Sequence, residues 1–200
     1  MIDNSATIVT IAKNKEHCIR YFLKKTNNYQ RKHKNIKRII IYDDQSTDET
    51  IPIAVQTIHR LKNQNIILLT NDKPHCDRIK MQTLLKQINT PNVIFIETEL
   101  YTYLRNVTKQ INLLKKSQII LPNRYHEASE VVWKDRDEQQ CKQGLMQDSN
   151  NHNRAIKTRI LKLMLECEKK NCWANAIIKS YKITQPPVEY NQLINHTYER

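Results

Sequence analysis

The chain has 200 residues, of which 39% are apolar and 26% are charged, a composition typical of one globular domain that excludes a disordered tail or a fibre. It contains a single glycine, Gly144, which excludes the glycine-rich loops that bind phosphate in P-loop and G-x-G-x-x-G proteins. The formal net charge of +13 favours anionic partners, but only 6% of the residues are aromatic and no RNP-like or helix-turn-helix pattern occurs, so we do not expect a nucleic-acid partner.

The first hundred residues alternate between predicted strands and predicted helices. Short apolar runs indicate buried strands, and apolar residues spaced three and four apart indicate amphipathic helices. Starting with a strand and alternating, the predicted elements cover residues 6–12, 16–25, 37–42, 46–62, 65–69, 77–88 and 92–96. Ser46 and Glu49 have the spacing of a capping box, which would open the second helix. This alternation is typical of βαβ units and a mostly parallel sheet.

The second half of the chain has a weaker pattern. We predict a helix over residues 106–116, a short strand over 118–121, and a helical segment with a strand-like start over 155–169. Residues 127–153 are polar and predict a long loop or a broken helix. The pattern of residues 173–183 does not distinguish a helix from a strand. Because no linker or internal repeat divides the chain, we expect one α/β domain over residues 1–200.

The cysteines and the apolar runs bear on the compartment. The chain has 5 cysteines, and no two have C-x-x-C spacing, so we expect free thiols in the cytoplasm or another reducing compartment. The first apolar run, residues 6–12, predicts a buried strand and not a signal peptide. No apolar run approaches the length of a membrane span, so we expect none.

Acidic residues follow two of the predicted strands. Asp43 and Asp44 end the second strand, and Glu97 and Glu99 follow the fourth. In a parallel sheet the carboxyl ends of the strands lie at one edge, where ligands bind. Carboxylates two residues apart can bind a hard cation whose other ligands are substrate phosphates. Solvated loop charges are the alternative interpretation of the same spacing.

Residues 39–50 resemble the nucleotide-binding start of GT-A glycosyltransferases of the family 2 type, with its Asp-Asp-Gly-Ser-x-Asp-x-Thr stretch. A subgroup that begins Val-Lys-Asn-Glu fits best, since residues 12–16 read Ala-Lys-Asn-Lys-Glu. Its Phe-x-Asp-x-Asp-Glu strand end is similar to residues 95–100, its Pro-Trp-Arg turn to 121–125, and its Asn-His-Tyr to 195–198. The resemblance implies a GT-A, Rossmann-like fold with a mixed, mostly parallel sheet, whose residues 1–100 form the nucleotide-binding half and 101–200 the acceptor-side half.

The resemblance also implies roles for individual residues. The side chains expected at a nucleotide-sugar donor are polar or charged: Lys13, Asn14, Asp43, Asp44, Ser46, Asp48, Arg78, Glu97 and Arg124. The expected ligands of a divalent cation, Mn²⁺ or Mg²⁺, are Glu97, Glu99 and His196. A carboxylate would deprotonate the acceptor hydroxyl. The candidates for this base lie in the polar segment of the second half: Glu127, Glu130, Asp135 and Asp137.

The expected function is therefore sugar transfer, with inversion, from a nucleotide-sugar donor to a hydroxyl of a glycan, protein or lipid acceptor. This chain departs from the family pattern at two places. Glu97 and Glu99 stand where the family has aspartates, and Gln45 stands where it has glycine. A relative that retains only nucleotide or sugar binding is thus the first alternative. A basic α/β protein that binds nucleic acid is the second.

Overall fold

The computed structural model describes residues 3–100, 104–120, 154–166 and 183–184. The elements in these ranges are, in chain order, β1 (Ala6–Ala12), α1 (Glu16–Lys32), β2 (Ile36–Asp43), α2 (Thr50–Leu61), β3 (Ile66–Leu69), α3 (Asp77–Gln87), β4 (Asn92–Phe95), α4 (Arg105–Leu113), β5 (Ile119–Ile120), β6 (Arg154–Lys157), α5 (Thr158–Glu166) and β7 (Ile183–Thr184). The alternation predicted for the first hundred residues is confirmed element by element.

The strands in the described part form one 7-stranded sheet in the order β3-β2-β1-β4-β6-β5-β7. Strands β1 to β4 pair in parallel, and β6 runs antiparallel to both of its neighbours, β4 and β5. The expected mixed, mostly parallel α/β sheet is therefore confirmed.

Helices cover both faces of this sheet. Because side chains alternate along a strand, neighbouring residues of β1 enter different cores: Ile8 packs with residues of α1, α2 and α4, whereas Val9 packs with residues of α3 and α5. Both side chains are fully buried. A central strand buried on both faces explains why its sequence reads as a continuous apolar run.

Helix α1 is longer than predicted, ending at Lys32 and not near Lys25. Its second half is polar in sequence, yet several of these polar side chains are buried and hydrogen-bonded. The Thr26 hydroxyl donates to the Phe22 carbonyl at 2.8 Å, and the Asn63 amide donates to Asn27 at 2.7 Å. Satisfied polar groups can occupy a core, which apolar periodicity alone does not reveal.

The predicted capping box is wrong. Helix α2 begins at Thr50, and its N-cap residue, Glu49, makes no side-chain capping bond. Ser46 instead accepts a hydrogen bond from the backbone N–H of Asn14 at 2.9 Å, because the loop before α2 lies against the loop after β1. Tertiary contact thus replaces the local motif.

The segment predicted as one helix with a strand-like start divides into β6 and α5. The predicted loop over residues 127–153 and nearly all of the ambiguous segment 173–183 lie outside the described residues. Among the helices that are described, none combines the length and apolar character needed to cross a membrane.

Candidate functional site

Strands β1, β2 and β4 end at the same edge of the sheet, since β1 pairs in parallel with both of the others. The loops that follow them each contain a residue with left-handed backbone: Asn14 (φ 52°), Gln45 (φ 58°) and Leu100 (φ 53°). Left-handed backbone is sterically unfavourable for residues other than glycine, and backbone strain of this kind concentrates at functional sites. Gln45, at the position where the family pattern has glycine, thus has the left-handed backbone that glycine adopts without a steric penalty.

Asn14 joins the loop after β1 to the loop after β2. Its backbone N–H donates to Ser46, and its side-chain Oδ1 accepts from the N–H of Thr47 at 2.8 Å. Asn14 and Ser46, both predicted at the donor, are therefore brought together and hold these two loops in position.

Asp48, a third residue predicted at the donor, binds the protein itself. Its carboxylate accepts from the N–H of Glu16 at 3.1 Å and from the N–H of Thr50 at 3.0 Å. Burial raises the pKa of Asp48, but hydrogen bonds from Thr50 and Glu16 outweigh it and leave the pKa lowered. The structure thus uses Asp48 to fix the first turns of α1 and α2.

One carboxylate oxygen of Asp43 accepts a hydrogen bond, and the other is buried without a partner among the described residues. Its side chain is 1% exposed, and Oδ2 accepts from the backbone N–H of Ser46 at 3.0 Å. Oδ1 is buried and makes no hydrogen bond within the described residues. An unsatisfied buried acceptor is costly, and a ligand that carries an N–H or O–H donor would satisfy it.

Asp44 is paired with a lysine of α3. The Lys80 ammonium donates to Asp44 Oδ2 at 2.7 Å, and both side chains are mostly buried. Next to Asp44, the hydroxyl of Tyr42 shares a hydrogen bond of 2.8 Å with His75 Nδ1. Burial, and then the charge of Asp44, raise the pKa of Tyr42, so this phenol stays neutral.

Glu97 and Glu99 lie on the turn after β4, on either side of the buried Thr98, whose hydroxyl bonds that of Thr10 at 2.9 Å. Both glutamates are half-buried. The Glu99 carboxylate accepts a hydrogen bond from the ammonium of Lys15. The predicted edge of acidic residues is therefore observed, with a lysine bound to Glu99 as well as to Asp44.

These two glutamates supply oxygen donors of the kind that Mn²⁺ and Mg²⁺ prefer. Within the described ranges, no group of 3 or more His, Cys, Asp or Glu side chains is arranged to hold a metal. The glutamates would therefore need ligands from a bound substrate or from residues such as His196, which lies outside the described residues.

Ile11 lies in the central strand β1 and is nevertheless 38% exposed. Its register partner on β2 is the buried Tyr42, and by strand alternation it shares a face with the buried Val9. The helices that cover this face thus leave the carboxyl end of β1 open. Ile11 therefore offers an apolar surface at the carboxyl end of the central strand.

Other predicted site residues are placed less specifically or not at all. Lys13, after β1, and Arg78, on α3, are exposed, and it is Lys80, not Arg78, that contacts an acidic residue of the site. The remaining candidates lie outside the described residues: Arg124, Glu127, Glu130, Asp135, Asp137 and His196.

Sequence reasoning missed four side chains at this edge: Ile11, Lys15, His75 and Arg154. Arg154 pairs in register with Phe95 at the end of β4, and burial lowers the pKa of its guanidinium. The sequence offers one signal for Lys15: it is a basic residue that closely follows a predicted strand, within the stretch 12–16 that resembles the family pattern. The others come to the site only through sheet pairing and loop packing, which no local pattern encodes.

Solved structures with the same fold include three enzymes. A mannosyltransferase from Pyrobaculum calidifontis, in complex with GDP-Man and Mn²⁺, has a TM-score of 0.67 and 14% identity over 92% of this chain and 55% of its own. A 4-diphosphocytidyl-2C-methyl-D-erythritol synthase from Anaerococcus prevotii has a TM-score of 0.61 and 13% identity, over 96% and 89%. A glucosyl-3-phosphoglycerate synthase from Mycobacterium tuberculosis, in complex with Mn²⁺, UDP-Glc and phosphoglyceric acid, has a TM-score of 0.53 and 14% identity, over 78% and 57%.

At these identities the likeness is one of fold, and this chain spans little more than half the length of the mannosyltransferase. No curated protein matches the chain significantly in sequence. The sequence model of glycosyl transferase family 2 matches residues 7–172, which include β1 to β6, α1 to α5 and the loops that carry the paired carboxylates. The chain therefore belongs to glycosyl transferase family 2 and has its GT-A fold.

Proposed function

We propose that the chain is a glycosyltransferase that transfers a sugar, with inversion, from a nucleotide-sugar donor to a hydroxyl acceptor. The observation that carries this proposal is the buried Oδ1 of Asp43 at the carboxyl edge of the sheet, which has no hydrogen-bond partner among the residues that the structure describes. A nucleoside offers O–H and N–H donors on its ribose and base. The exposed Ile11 beside Asp43's strand supplies an apolar surface on which the base can rest.

The diphosphate of such a donor needs positive charge. Because glycine-rich loops are missing, cationic side chains and a metal would have to supply what backbone amides supply in other nucleotide sites. Lys13, Lys15 and Lys80 stand on the loops and the helix that border this edge. Lys15 and Lys80 are each bound to a carboxylate and so offset the acidic residues of this edge, while Lys13 lies exposed beside them.

We propose Mn²⁺ or Mg²⁺ as the cation, with Glu97 and Glu99 as its protein ligands. When bound, the metal would stabilise the charge of the leaving diphosphate. Complexes of fold relatives with Mn²⁺ and GDP-Man or UDP-Glc support this choice. The candidates for the catalytic base, Glu127, Glu130, Asp135 and Asp137, lie outside the described residues and stay predictions, as does an acceptor site in residues 101–200.

Asp43→Asn tests the role of Asp43 in donor binding. The asparagine carbonyl can keep the hydrogen bond from Ser46, while its NH₂ would confront the ligand donor that Oδ1 accepts. We expect the affinity for UDP or GDP, measured by calorimetry on the full chain with Mn²⁺, to fall about tenfold or more, since hydrogen bonds to charged groups are strong.

Asp3→Asn is the matched control. Asp3 also accepts a backbone N–H, that of Ser5, at 2.9 Å, but it precedes β1 and lies at the other edge of the sheet. The control should bind nucleotide like the wild type. Equal affinities for wild type and Asp43→Asn, or no nucleoside diphosphate binding by the wild type, would remove the proposed donor site.

A relative that binds nucleotide without transferring sugar is the second candidate, and the contact between Lys15 and Glu99 favours it. An ammonium bound to one of the two glutamates competes with a catalytic metal. Release of UDP or GDP from nucleotide sugars with Mn²⁺ present separates the two functions: binding without release indicates the non-catalytic relative.

A further inference from the structure

The Lys15 and Glu99 side chains form a half-buried ion pair at the diphosphate end of the proposed donor site. The ammonium donates to Glu99 Oε1, and the two side chains are 28% and 14% exposed. Pairs that are partly withdrawn from water are screened less by salt than surface pairs are. The contact therefore changes the electrostatics of the glutamate pair more than an exposed lysine would.

The backbone of Lys15 is fixed, so this contact is built into the fold. Lys15 is the N-cap residue of α1, and its N–H donates to the hydroxyl of Thr50 at 2.6 Å. Its carbonyl accepts from the N–H of Ile19 at 2.9 Å. The contact with Lys15, the N-cap residue, brings the Glu99 carboxylate to the start of α1, and burial together with the charge of Glu99 raises the pKa of nearby Cys18 to about 12.

The Lys15 ammonium offsets the negative charge of Glu99 in the turn after β4. A divalent cation that approaches Glu99 meets a resident positive charge and has to displace the ammonium before it can use that carboxylate fully. Without the lysine, two half-buried carboxylates two residues apart would form a stronger cation site.

We propose that Lys15 is the resident cation of the diphosphate site: it occupies Glu99, weakens binding of the divalent metal there, and supplies positive charge to the diphosphate itself. This inference rests on the proposed function, because it concerns the same donor site. It predicts a nucleotide site that depends less on added metal than the Glu-x-Glu sequence suggests.

The test is a titration of the full chain with Mn²⁺ alone, followed by electron paramagnetic resonance, which needs neither nucleotide nor activity. Lys15→Met should bind Mn²⁺ on the order of tenfold more tightly than the wild type, because the competing charge is removed from contact distance. Adding Glu99→Gln to Lys15→Met should abolish the gain. Lys24→Met is the matched control: it removes the same charge from an exposed position on α1, outside the proposed site, and screening should keep its effect to about twofold.

Calorimetry with UDP or GDP in the presence of EDTA tests the second part. The metal-free affinity should fall several-fold in Lys15→Met and be retained in Lys15→Arg. Far-UV circular dichroism checks folding, and Lys15→Gln replaces the methionine variant should that one not fold. Mn²⁺ binding by Lys15→Met no tighter than by the wild type would overturn the inference. Absence of nucleotide binding in every variant would instead refute the proposed donor site, and the Mn²⁺ titration would still decide the role of Lys15.

Discussion

Asp48→Ala removes an acceptor that serves the starts of two helices at once. Asp48 binds the backbone N–H of Glu16, in the first turn of α1, and both the N–H and the hydroxyl of Thr50, in the first turn of α2. The Glu16 carboxylate in turn accepts from the N–H of Glu49 at 3.0 Å. The two helix starts therefore cap each other through a pair of acidic side chains.

The expected cost follows from the number of capping interactions lost. Loss of a capping side chain costs about 1 kcal/mol per helix start, so the two starts served by Asp48 give a loss of about 2 kcal/mol in the free energy of unfolding. For a domain of this size that corresponds to a fall in Tm of about 4–8 °C. Because Thr50 is buried, its N–H and hydroxyl cannot bind bulk water in place of Asp48. The loss of these hydrogen bonds therefore lowers the free energy of unfolding.

Urea unfolding followed by far-UV circular dichroism measures this cost. Glu49→Ala is the matched control, since it removes the next acidic side chain along the chain from an exposed position, and we expect a change within about 0.5 kcal/mol. Nucleotide affinity of the folded Asp48→Ala protein should be unchanged. The reasoning fails if Asp48→Ala is as stable as the control, and a large loss of nucleotide affinity would mean that Asp48 contacts the donor directly.

The stabilisation by Asp48 depends on pH in a defined direction. Its pKa in the folded protein is lowered, so the contribution is complete above the pKa of the unfolded chain, about 3.9. It is lost as the pH falls through the lowered pKa of the folded state. The difference in unfolding free energy between wild type and Asp48→Ala should therefore be constant near neutral pH and narrow below about pH 4.

Two further predictions concern the backbone and the thiols. Gln45 and Lys62 have left-handed backbone, at φ 58° and φ 50°, which glycine adopts without a steric penalty. Gln45→Gly and Lys62→Gly should therefore each raise the free energy of unfolding, measured in urea titrations, by about 0.5–1 kcal/mol. An unchanged or lower free energy of unfolding would argue against strain at these positions. Cys18 is buried with a pKa of about 12, whereas Cys76 is exposed, so peptide mapping after iodoacetamide treatment at pH 8 should find Cys76 alkylated well before Cys18, and equal rates would contradict this.

The local patterns of the chain predict the elements of the first hundred residues well. Apolar runs and helical spacing depend on residues that are near one another in sequence, and they identified β1 to β4 and α1 to α3 within a few residues, apart from the polar second half of α1. The family pattern over residues 39–50 identified the fold, and the acidic ends of β2 and β4 identified the edge at which the site lies. These features share one property, namely that each can be read from a single short segment.

The partners of the acidic side chains could not be read in this way. Lys15 and Glu99 are 84 residues apart in sequence, and Lys80 and Asp44 are 36 apart. Only the parallel pairing of β1 with β2 and β4, and the packing of α3 over that face, brings each lysine to its carboxylate. The family resemblance likewise implies that Asp48 contacts the donor, whereas in the structure its carboxylate accepts hydrogen bonds from the first turns of α1 and α2.

The sequence by itself determined the fold class, the family pattern and the edge of the sheet that carries the site, because hydrophobic periodicity and strand ends are local properties of the chain. Only the tertiary structure decided which charges are paired, which oxygen of Asp43 has no partner in the described part of the chain, and which residue of β1 is exposed to solvent. Those properties depend on burial and on contacts between distant segments, and these exist only once the sheet has formed.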